Sequence, residues 1–201
     1  RRPLCENSPL VHRALAFAEA RGLPAPRFRG IDEKGREILS FLPGETPKDL
    51  GRFSEEQLEV AAKIIRALHD GFAGFPGCGP GQVLCHNDLS PCNFLFTEGT
   101  PRFVIDWDAC AIGDPLDDHA YAMWMWLDIG NAEIPPAETV RRMRRMADAY
   151  RLEAARFAAL PGRMEGQMER VGRSVFPTPD QTAATARWAA SCREWLRDKI
   201  A

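Results

Sequence analysis

Apolar and polar residues alternate in two ways in the first part of the chain. Apolar positions recur at helical spacing between a helix-start signal at Ser8 and a stop at Gly22. Residues 27–32 and 36–42 instead resemble two strands around a turn. Residues 43–47 hold two prolines and a glycine, which break the chain. This pattern predicts one helix, a two-stranded hairpin and a short connecting segment.

The rest of the chain is predicted to be mostly helical. A capping box at Ser54 opens a helix with one apolar face, Pro135 and Pro136 begin another, and a second capping box at Thr178 opens the last. One short strand at residues 83–85 and a small hairpin over residues 94–105 interrupt the helices. Three side chains of the closing helix recur at helical spacing and are expected in the core. They are Trp188, Cys192 and Trp195.

Composition narrows the class of protein. The 201 residues are 45% hydrophobic, which is typical of a globular chain, and the net charge of -2 argues against a general nucleic-acid binder. No apolar run is long enough to predict a membrane span. The six cysteines form no C-x-x-C pair, so we expect free thiols in the cytoplasm and no zinc. Because the first residue is Arg1, we expect a missing N-terminal segment.

The candidate chemistry lies in two short segments. Asp88 belongs to a His-x-Asp triplet and precedes Asn93 by five residues, and Asp106 ends an apolar run thirteen residues later. Phosphoryl transfer needs one carboxylate beside the attacking hydroxyl, and a carboxylate with an amide oxygen to hold Mg²⁺. Asn93 and Asp106 lie at opposite ends of the predicted hairpin segment, so they can face one cation. Asp88 is therefore the catalytic candidate, and Asn93 and Asp106 are the candidate metal ligands.

These motifs resemble the aminoglycoside phosphotransferase family, bacterial kinase-like enzymes that phosphorylate small-molecule hydroxyls. The likeness rests on H-N-D-L-S-P-C-N at residues 86–93 and on I-D-W-D-A-C-A-I-G-D-P-L-D-D at residues 105–118. Protein kinases carry D-F-G at the second motif. The resemblance implies ATP and Mg²⁺ as cofactors. It also implies an α+β, protein-kinase-like fold, with a partial β N-lobe (1–45) and a mostly helical C-lobe (46–201).

The resemblance also implies a hinge at residues 40–42, where Phe41 and Leu42 offer backbone hydrogen bonds to adenine. Core strand positions are the alternative interpretation of both residues. His86 is expected to lie under the catalytic loop and to tie it to the metal-loop backbone.

Several other polar residues receive supporting roles. Asp114 and Asp118 are expected to be structural, with Asp118 capping the next helix or bracing the loops. Asp108 is placed to reach a second metal or its water shell. His69, at the end of a helix, is expected to be structural, and the arginines at residues 141–145 are expected to form a solvated basic face.

One part of the pattern departs from the family. A complete N-lobe has a glycine-rich turn and a strand lysine that pairs with a helix glutamate. No lysine precedes the first helix here, and that helix has no glutamate at its middle. Arg1 or Arg2 is the candidate replacement for the lysine.

Three hypotheses follow from these observations. The leading one is an ATP-dependent phosphotransferase whose partner is a small-molecule hydroxyl acceptor, with no nucleic acid or membrane involved. The second is a kinase-like relic that binds a nucleotide or ligand without catalysis. The third is a magnesium-dependent phosphohydrolase that uses Asp88 and Asp106. Neither the acceptor nor the oligomeric state follows from the sequence.

Overall fold

The computed structural model describes residues 2–47 and 52–200 of the chain. Its N-terminal sheet has three antiparallel strands. Strand β1 (Arg2–Pro3) pairs with β3 (Arg36–Leu39), and β3 pairs with β2 (Phe28–Ile31). Helix α1 (Ser8–Ala20) connects β1 to β2. The predicted helix and hairpin are confirmed, whereas β1 was not predicted.

The hairpin strands are shorter than predicted, since β2 spans Phe28–Ile31 and β3 ends at Leu39, while the turn lies between them as expected. The side chain of Asp32 accepts hydrogen bonds from the backbone N–H groups of Lys34 and Arg36, each at 2.9 Å. Gly35 has a φ of 68°, a left-handed conformation that glycine adopts without steric cost. These two features close the turn and end β2 at Ile31.

Helix α1 begins one residue earlier than its start signal suggested. The N-cap residue is Asn7, which forms no side-chain cap and instead donates to the carbonyl oxygens of Asp108 and Cys110. Ser8, predicted as the N-cap, lies inside the helix, and its hydroxyl donates to Glu37 Oε1 at 2.8 Å. The start of α1 is thus tied to the second motif and to β3.

Residues after 52 form most of the helical structure. Helix α2 packs against α4, and α6 packs against both α7 and α3. The capping boxes predicted at Ser54 and Thr178 are both present, with reciprocal side-chain and backbone bonds. The helices are α2 (Glu55–Phe72), α3 (Pro115–Trp126), α4 (Pro136–Tyr150), α5 (Ala154–Ala158), α6 (Leu160–Gly172) and α7 (Pro179–Lys199).

Two small sheets carry the sequence motifs. The predicted strand β4 (Val83–Cys85) pairs antiparallel with β7 (Ala111–Gly113), which was not predicted. The predicted hairpin is confirmed as β5 (Phe94–Thr97) and β6 (Thr100–Val104), with Phe94 opposite Val104. Each sheet thereby brings a residue that adjoins the first motif next to a residue that adjoins or belongs to the second.

One hydrophobic core includes side chains from both predicted lobes. The boundary near residue 45 remains a prediction. The expectation that Trp188 belongs to the core is wrong: it is 40% exposed and stacks on the buried Trp124 at a centroid distance of 4.7 Å. Cys192 is buried as expected, and Trp195 is half-buried. Helix α7 covers one side of the molecule, which leaves Trp188 at the rim of the contact.

Within the described ranges, no helix has the length and apolar character that crossing a membrane requires.

Candidate active site

The catalytic loop follows β4 directly and is braced from below by one buried carboxylate. Asp118, on α3, accepts hydrogen bonds from the backbone N–H groups of His86 and Asn87, each at 2.8 Å. His69 Nε2 lies 3.1 Å from the same carboxylate, and His69 Nδ1 lies 2.6 Å from the hydroxyl of Tyr150. His69 is therefore structural, as predicted.

Asp118 braces the loops and does not cap α3, since Asp114 is the N-cap and accepts from the Leu116 N–H at 2.9 Å. Burial acts to raise the pKa of Asp118, but the hydrogen bond and charge of His69 and the bond from His86 outweigh it and lower the pKa. The brace is therefore an ionised carboxylate inside the protein, satisfied by donors from the loop and from α2.

His86 connects the two motifs. Its ring lies 2% exposed under the loop, Nδ1 accepts from the N–H of Asp88 at 3.2 Å, and Nε2 lies 3.0 Å from the carbonyl oxygen of Ile105. A ring that accepts at Nδ1 carries its proton on Nε2, so Nε2 donates to Ile105. Burial lowers the pKa of His86, which keeps the ring neutral. The predicted tie between catalytic loop and metal loop is confirmed.

The two candidate metal ligands meet at the open end of the β5–β6 hairpin. The N–H of Ile105 donates to the carbonyl oxygen of Asn93 at 2.9 Å, which holds Asp106 beside Asn93. The Asn93 side chain donates through Nδ2 to the carbonyl oxygen of Asp88 at 2.9 Å, so its remaining polar atom is an acceptor oxygen. Asp106 has a left-handed backbone (φ 62°, ψ 68°), and its side chain is 54% exposed.

Arg2 faces the carboxylates of the metal loop. Its Nη1 lies 3.4 Å from Asp106 Oδ1 and its Nη2 lies 2.5 Å from Asp108 Oδ1. Its Nε lies 2.6 Å from Glu37 Oε2, directly across the β1–β3 pair. The guanidinium is thus anchored at Nε, while its two terminal nitrogens point toward the metal loop. Arg1, the other candidate replacement for the missing lysine, lies outside the described residues.

Glu37 on β3 is the buried carboxylate that contacts Arg2. Its side chain is fully buried and lies 2.8 Å from both the Ser8 hydroxyl and His12 Nε2, in addition to Arg2. Burial acts to raise the pKa of Glu37, but the bonds from Arg2, Ser8 and His12 lower it. Sequence reasoning missed this residue because it looked for the glutamate on the helix. A lone acidic residue in the predicted strand 36–42 was the available signal.

A cavity of about 480 Å³ joins the predicted hinge to the metal loop. Phe41 is 89% exposed and its neighbour Leu42 is half-buried, so the core-strand alternative is wrong for the ring of Phe41. In the described part of the chain, neither residue forms a backbone–backbone hydrogen bond. Both therefore present unpaired backbone groups. The lining residues are Arg2, Pro26, Leu39, Ser40, Phe41, Leu42, Leu95, Ile105, Asp106 and Asp108.

Asp88 is half-buried, and its carboxylate receives one neutral donor. The hydroxyl of Tyr121 donates to Asp88 Oδ1 at 2.7 Å. Sequence reasoning gave Tyr121 no role because it lies in an apolar, tryptophan-rich helix that predicts core. The hydroxyl of Ser90 lies 2.9 Å from Cys92 Sγ.

The oxygen donors of Asp106 and Asn93 suit Mg²⁺ better than they suit a metal that is coordinated by protein side chains alone. Among residues 2–47 and 52–200, no group of three or more histidine, cysteine, aspartate or glutamate side chains could hold a metal ion. Mg²⁺ is commonly held by one or two carboxylates together with waters and substrate phosphates. Asp106 and Asn93 are a set of this kind.

The predicted solvated face holds for Arg141 and Arg145, which lie at the surface in ion pairs, and is wrong for Arg142. Arg141 and Arg145 both pair with Glu55 on α2, and Arg145 also pairs with Glu59 at 2.7 Å. Arg142 differs, because it is buried and donates to the carbonyl oxygen of Phe53. These contacts join α4 to α2 and lie outside the cavity at Asp106.

Comparison with known proteins agrees with this geometry. Residues 72–164, which include both motifs, match the model of the phosphotransferase enzyme family. The trifolitoxin immunity protein of Rhizobium leguminosarum bv. trifolii is 28% identical, over 90% of this chain and 77% of that protein.

Solved kinase structures share the fold at low identity. The amicoumacin kinase hAmiN, in complex with AMP-PNP, Ca²⁺ and amicoumacin, has a TM-score of 0.70 at 13% identity, over 94% of this chain and 78% of that one. The ethanolamine kinase of Plasmodium vivax has the same score and identity over 96% and 75%. The aminoglycoside phosphotransferase APH(4)-Ia, with ADP and hygromycin B, scores 0.56 at 16% identity over 94% and 83%.

These similarities confirm the predicted fold class, an α+β protein-kinase-like fold that is mostly helical. The family match also supports the predicted enzyme class at the level of a phosphotransferase. The resemblance to the aminoglycoside phosphotransferase family that the two motifs predicted is therefore confirmed.

Proposed function

We propose that this chain is an ATP-dependent phosphotransferase that transfers the γ-phosphoryl group of ATP to a hydroxyl of a small molecule. One observation carries the proposal. A single cavity has the unpaired hinge backbone of Phe41 and Leu42 at one end and Arg2, Asp106 and Asp108 at the other. Such a cavity offers adenine and phosphate complementary surroundings at the two ends of one nucleotide.

The nucleotide base is assigned to the hinge end of the cavity. Adenine would take backbone hydrogen bonds at residues 40–42 and lie between the apolar side chains of Leu39, Leu95 and Ile105. The exposed ring of Phe41 lies away from the core, so its backbone is the part that serves the base. The proposal thus uses Phe41 and Leu42 through their main chains.

The phosphates are assigned to the end at Arg2. An arginine presents several donors in a planar fork that matches phosphate oxygens. Glu37 anchors the guanidinium at Nε, whereas the two terminal nitrogens face Asp106 and Asp108 and would turn to the phosphates when a nucleotide binds. Arg2 would therefore act in place of the missing strand lysine, with Glu37 from β3 in place of the helix glutamate.

Mg²⁺ would be held by Asp106 through its carboxylate and by Asn93 through its amide oxygen. The metal supplies positive charge that neutralises the phosphate oxygens when it is bound. Arg2 contacts Asp106 at 3.4 Å. A cation at this carboxylate and the guanidinium therefore compete for the same oxygen.

Asp88 is assigned to the acceptor. Its carboxylate would orient the attacking hydroxyl and take a hydrogen bond from it as the proton leaves. The His86 bond to Ile105 fixes the catalytic loop against the metal loop, which sets the position of Asp88 relative to the phosphates. We infer that the chain works in the cytoplasm, where ATP is available, and that residues 1–45 and 46–201 act as the two lobes around the nucleotide.

We further propose that the acceptor is an antimicrobial compound with a hydroxyl group. The relative that covers 90% of this chain is an immunity protein, and two of the structural neighbours bind antibiotics. An amino alcohol is the alternative acceptor, because the ethanolamine kinase shares the fold equally well. The non-catalytic relic remains the competing account, since an immunity protein can also act by binding alone.

The proposal is tested by calorimetric titration of the protein with AMP-PNP in the presence and absence of Mg²⁺. Asp106→Asn should abolish the magnesium-dependent part of the affinity, because an amide lacks the charge of a carboxylate. Asn93→Ala should weaken it less. Arg2→Met should weaken Mg–AMP-PNP binding while strengthening the binding of Mn²⁺ alone, because the competing cation is removed from Asp106.

The control for these variants is Asp180→Asn, which removes an exposed carboxylate at the start of α7, outside the cavity. It should leave every affinity unchanged. Equal AMP-PNP affinity with and without Mg²⁺ in the unmodified protein would contradict the metal assignment. No measurable AMP-PNP binding at all would contradict the proposed function.

A further inference from the structure

The carboxylate of Asp88 is held in an unusual way for a charged group. Among the described residues, its side chain forms no ion pair, and its one hydrogen-bond donor is the hydroxyl of Tyr121 at 2.7 Å from Oδ1. The loop between Asp88 and Asn93 reads Leu-Ser-Pro-Cys, so it carries no cation of its own. The orientation of this carboxylate therefore depends on a residue outside the catalytic loop.

Tyr121 is well placed to supply that orientation. It lies on α3, three residues after Asp118, and residues at this spacing share one face of a helix. Asp118 accepts from the backbone of the loop at His86 and Asn87, while Tyr121 donates to its carboxylate. One helix face thus holds both the main chain of the catalytic loop and the side chain that the loop presents.

The ring of Tyr121 has little freedom to move. It is 9% exposed and contacts Trp124 edge to face at a centroid distance of 6.0 Å. The guanidinium of Arg170 lies 5.6 Å from the ring centroid, on the side of α6. A hydroxyl on a fixed ring is a rigid donor, so it restricts the rotation of the carboxylate that it contacts.

A phenol suits this task because it is a neutral donor. Burial, followed by the charge of Asp88 and the hydrogen bond to it, raises the pKa of Tyr121, so the hydroxyl stays protonated. A lysine or arginine at this place would neutralise the carboxylate, which must accept a hydrogen bond from the acceptor hydroxyl. The phenol orients Oδ1 and preserves the negative charge. Asp88 Oδ2 has no hydrogen-bond partner among the described residues and remains available for the acceptor.

We propose that Tyr121 is the positioning residue of the reaction: its hydroxyl fixes Oδ1 of Asp88 and thereby aims Oδ2 at the acceptor hydroxyl. This inference rests on the proposed function, because it assigns Asp88 to the acceptor. It concerns turnover and leaves nucleotide binding to the hinge, Arg2 and Asp106.

The test is a double-mutant cycle of Tyr121→Phe and Asp88→Asn. The rate of ADP release from Mg–ATP is measured with hygromycin B, with ethanolamine and with water alone as acceptor. Tyr121→Phe should lower kcat roughly ten- to a hundred-fold, the scale of one hydrogen bond to a charged group, while KM for ATP stays unchanged. In the Asp88→Asn background, Tyr121→Phe should cause no further loss.

A second measurement reads the contact without any turnover. The chain has only two tyrosines, Tyr121 and Tyr150, so protein labelled with 3-fluorotyrosine gives two ¹⁹F signals. Asp88→Asn should shift the Tyr121 signal and leave that of Tyr150 in place. The Tyr150→Phe variant assigns the signals, and it is the matched control for the loss of a buried phenol hydroxyl.

The outcomes separate the two claims. Wild-type kcat in Tyr121→Phe, or an equal further loss in the Asp88→Asn background, would overturn the positioning role while the proposed function stands. A ¹⁹F signal of Tyr121 whose chemical shift is the same in Asp88→Asn and wild type would overturn the contact itself. A wild-type protein that neither binds AMP-PNP nor releases ADP would overturn the proposed function, and the role of Tyr121 would fall with it.

Discussion

Two residues of the candidate site have a left-handed backbone conformation that residues other than glycine seldom adopt. Asn87 has a φ of 63° and Asp106 a φ of 62°. Such conformations cost on the order of 1–3 kcal/mol each and persist only where the surroundings enforce them. Asp118 accepts from the Asn87 N–H, and His86 donates to Ile105, the residue before Asp106. The buried side chains of Asp118 and His86 thus stabilise the strained backbone at Asn87 and Asp106.

The first prediction concerns the buried carboxylate of the brace. Asp118→Asn should lower the free energy of unfolding by about 3 kcal/mol, because it weakens charge-assisted bonds from His69, His86 and Asn87. Asp117→Asn is the matched control. Asp117 pairs with Arg163 near the surface, and such a pair contributes roughly 0–1 kcal/mol. Urea unfolding followed by circular dichroism measures both; equal losses in the two variants would contradict the brace.

The same variant has a pH signature with a definite sign. The folded protein lowers the pKa of Asp118 below the ordinary aspartate value of about 3.9. The ionised form therefore stabilises the fold fully above that value, and the stabilisation is lost as pH falls through the lower, folded pKa. The stability difference between wild type and Asp118→Asn should be constant above about pH 5 and should shrink below about pH 4. A difference that grows on acidification would reverse the assignment.

At the scale of elements, sequence patterns predicted those structures that are formed by residues close together in the chain. The capping boxes at Ser54 and Thr178 and the β5–β6 hairpin are formed by residues close in sequence, and all were predicted correctly. The strands β1 and β7 were missed. Their strand conformation comes from pairing with distant partners, which no local pattern encodes.

One glycine joins the hinge to the motif-bearing hairpin. Gly44 has a φ of 136°, and a Cβ added there would lie 2.8 Å from the carbonyl oxygen of Phe96. That oxygen accepts from the Glu45 N–H, and the Phe96 N–H donates back to Glu45 at 2.8 Å. A side chain at residue 44 would thus push apart the bridge between the hinge and β5.

Gly44→Ala should therefore lower the free energy of unfolding by roughly 2 kcal/mol or more and weaken AMP-PNP binding. Gly22→Ala is the matched control, since Gly22 also has a positive φ but a Cβ there meets nothing within 4 Å. It should cost about 1 kcal/mol and leave the affinity unchanged. Denaturant unfolding and calorimetry on both variants measure this. Equal affinities in Gly44→Ala and wild type would remove the bridge from the account of the nucleotide site.

At the scale of the whole molecule, the sequence predicted the candidate catalytic and metal-binding residues better than it predicted the residues that hold them in place. Asp88, Asn93 and Asp106 stand in two motifs whose spacing alone suggested phosphoryl transfer. The pair of Arg2 and Glu37, and the contact of Tyr121 with Asp88, were not predicted. These contacts join segments that are 33 or more residues apart, and only the folded chain brings them together. Family spacing guided the search for a glutamate to the helix, whereas the carboxylate that contacts Arg2 lies on β3.

The central claim is that the chain transfers phosphate and that Asp88 serves the acceptor. The most direct test is transfer of ³²P from γ-labelled ATP to hydroxyl acceptors, hygromycin B and ethanolamine among them, by wild type and Asp88→Asn. We predict transfer to at least one acceptor by the wild type, and a loss of roughly 10²–10⁴-fold in Asp88→Asn with AMP-PNP affinity retained. Transfer by Asp88→Asn at the wild-type rate would remove Asp88 from the mechanism. Nucleotide binding by a wild type that transfers no phosphate to any acceptor would contradict the account and favour the non-catalytic relic.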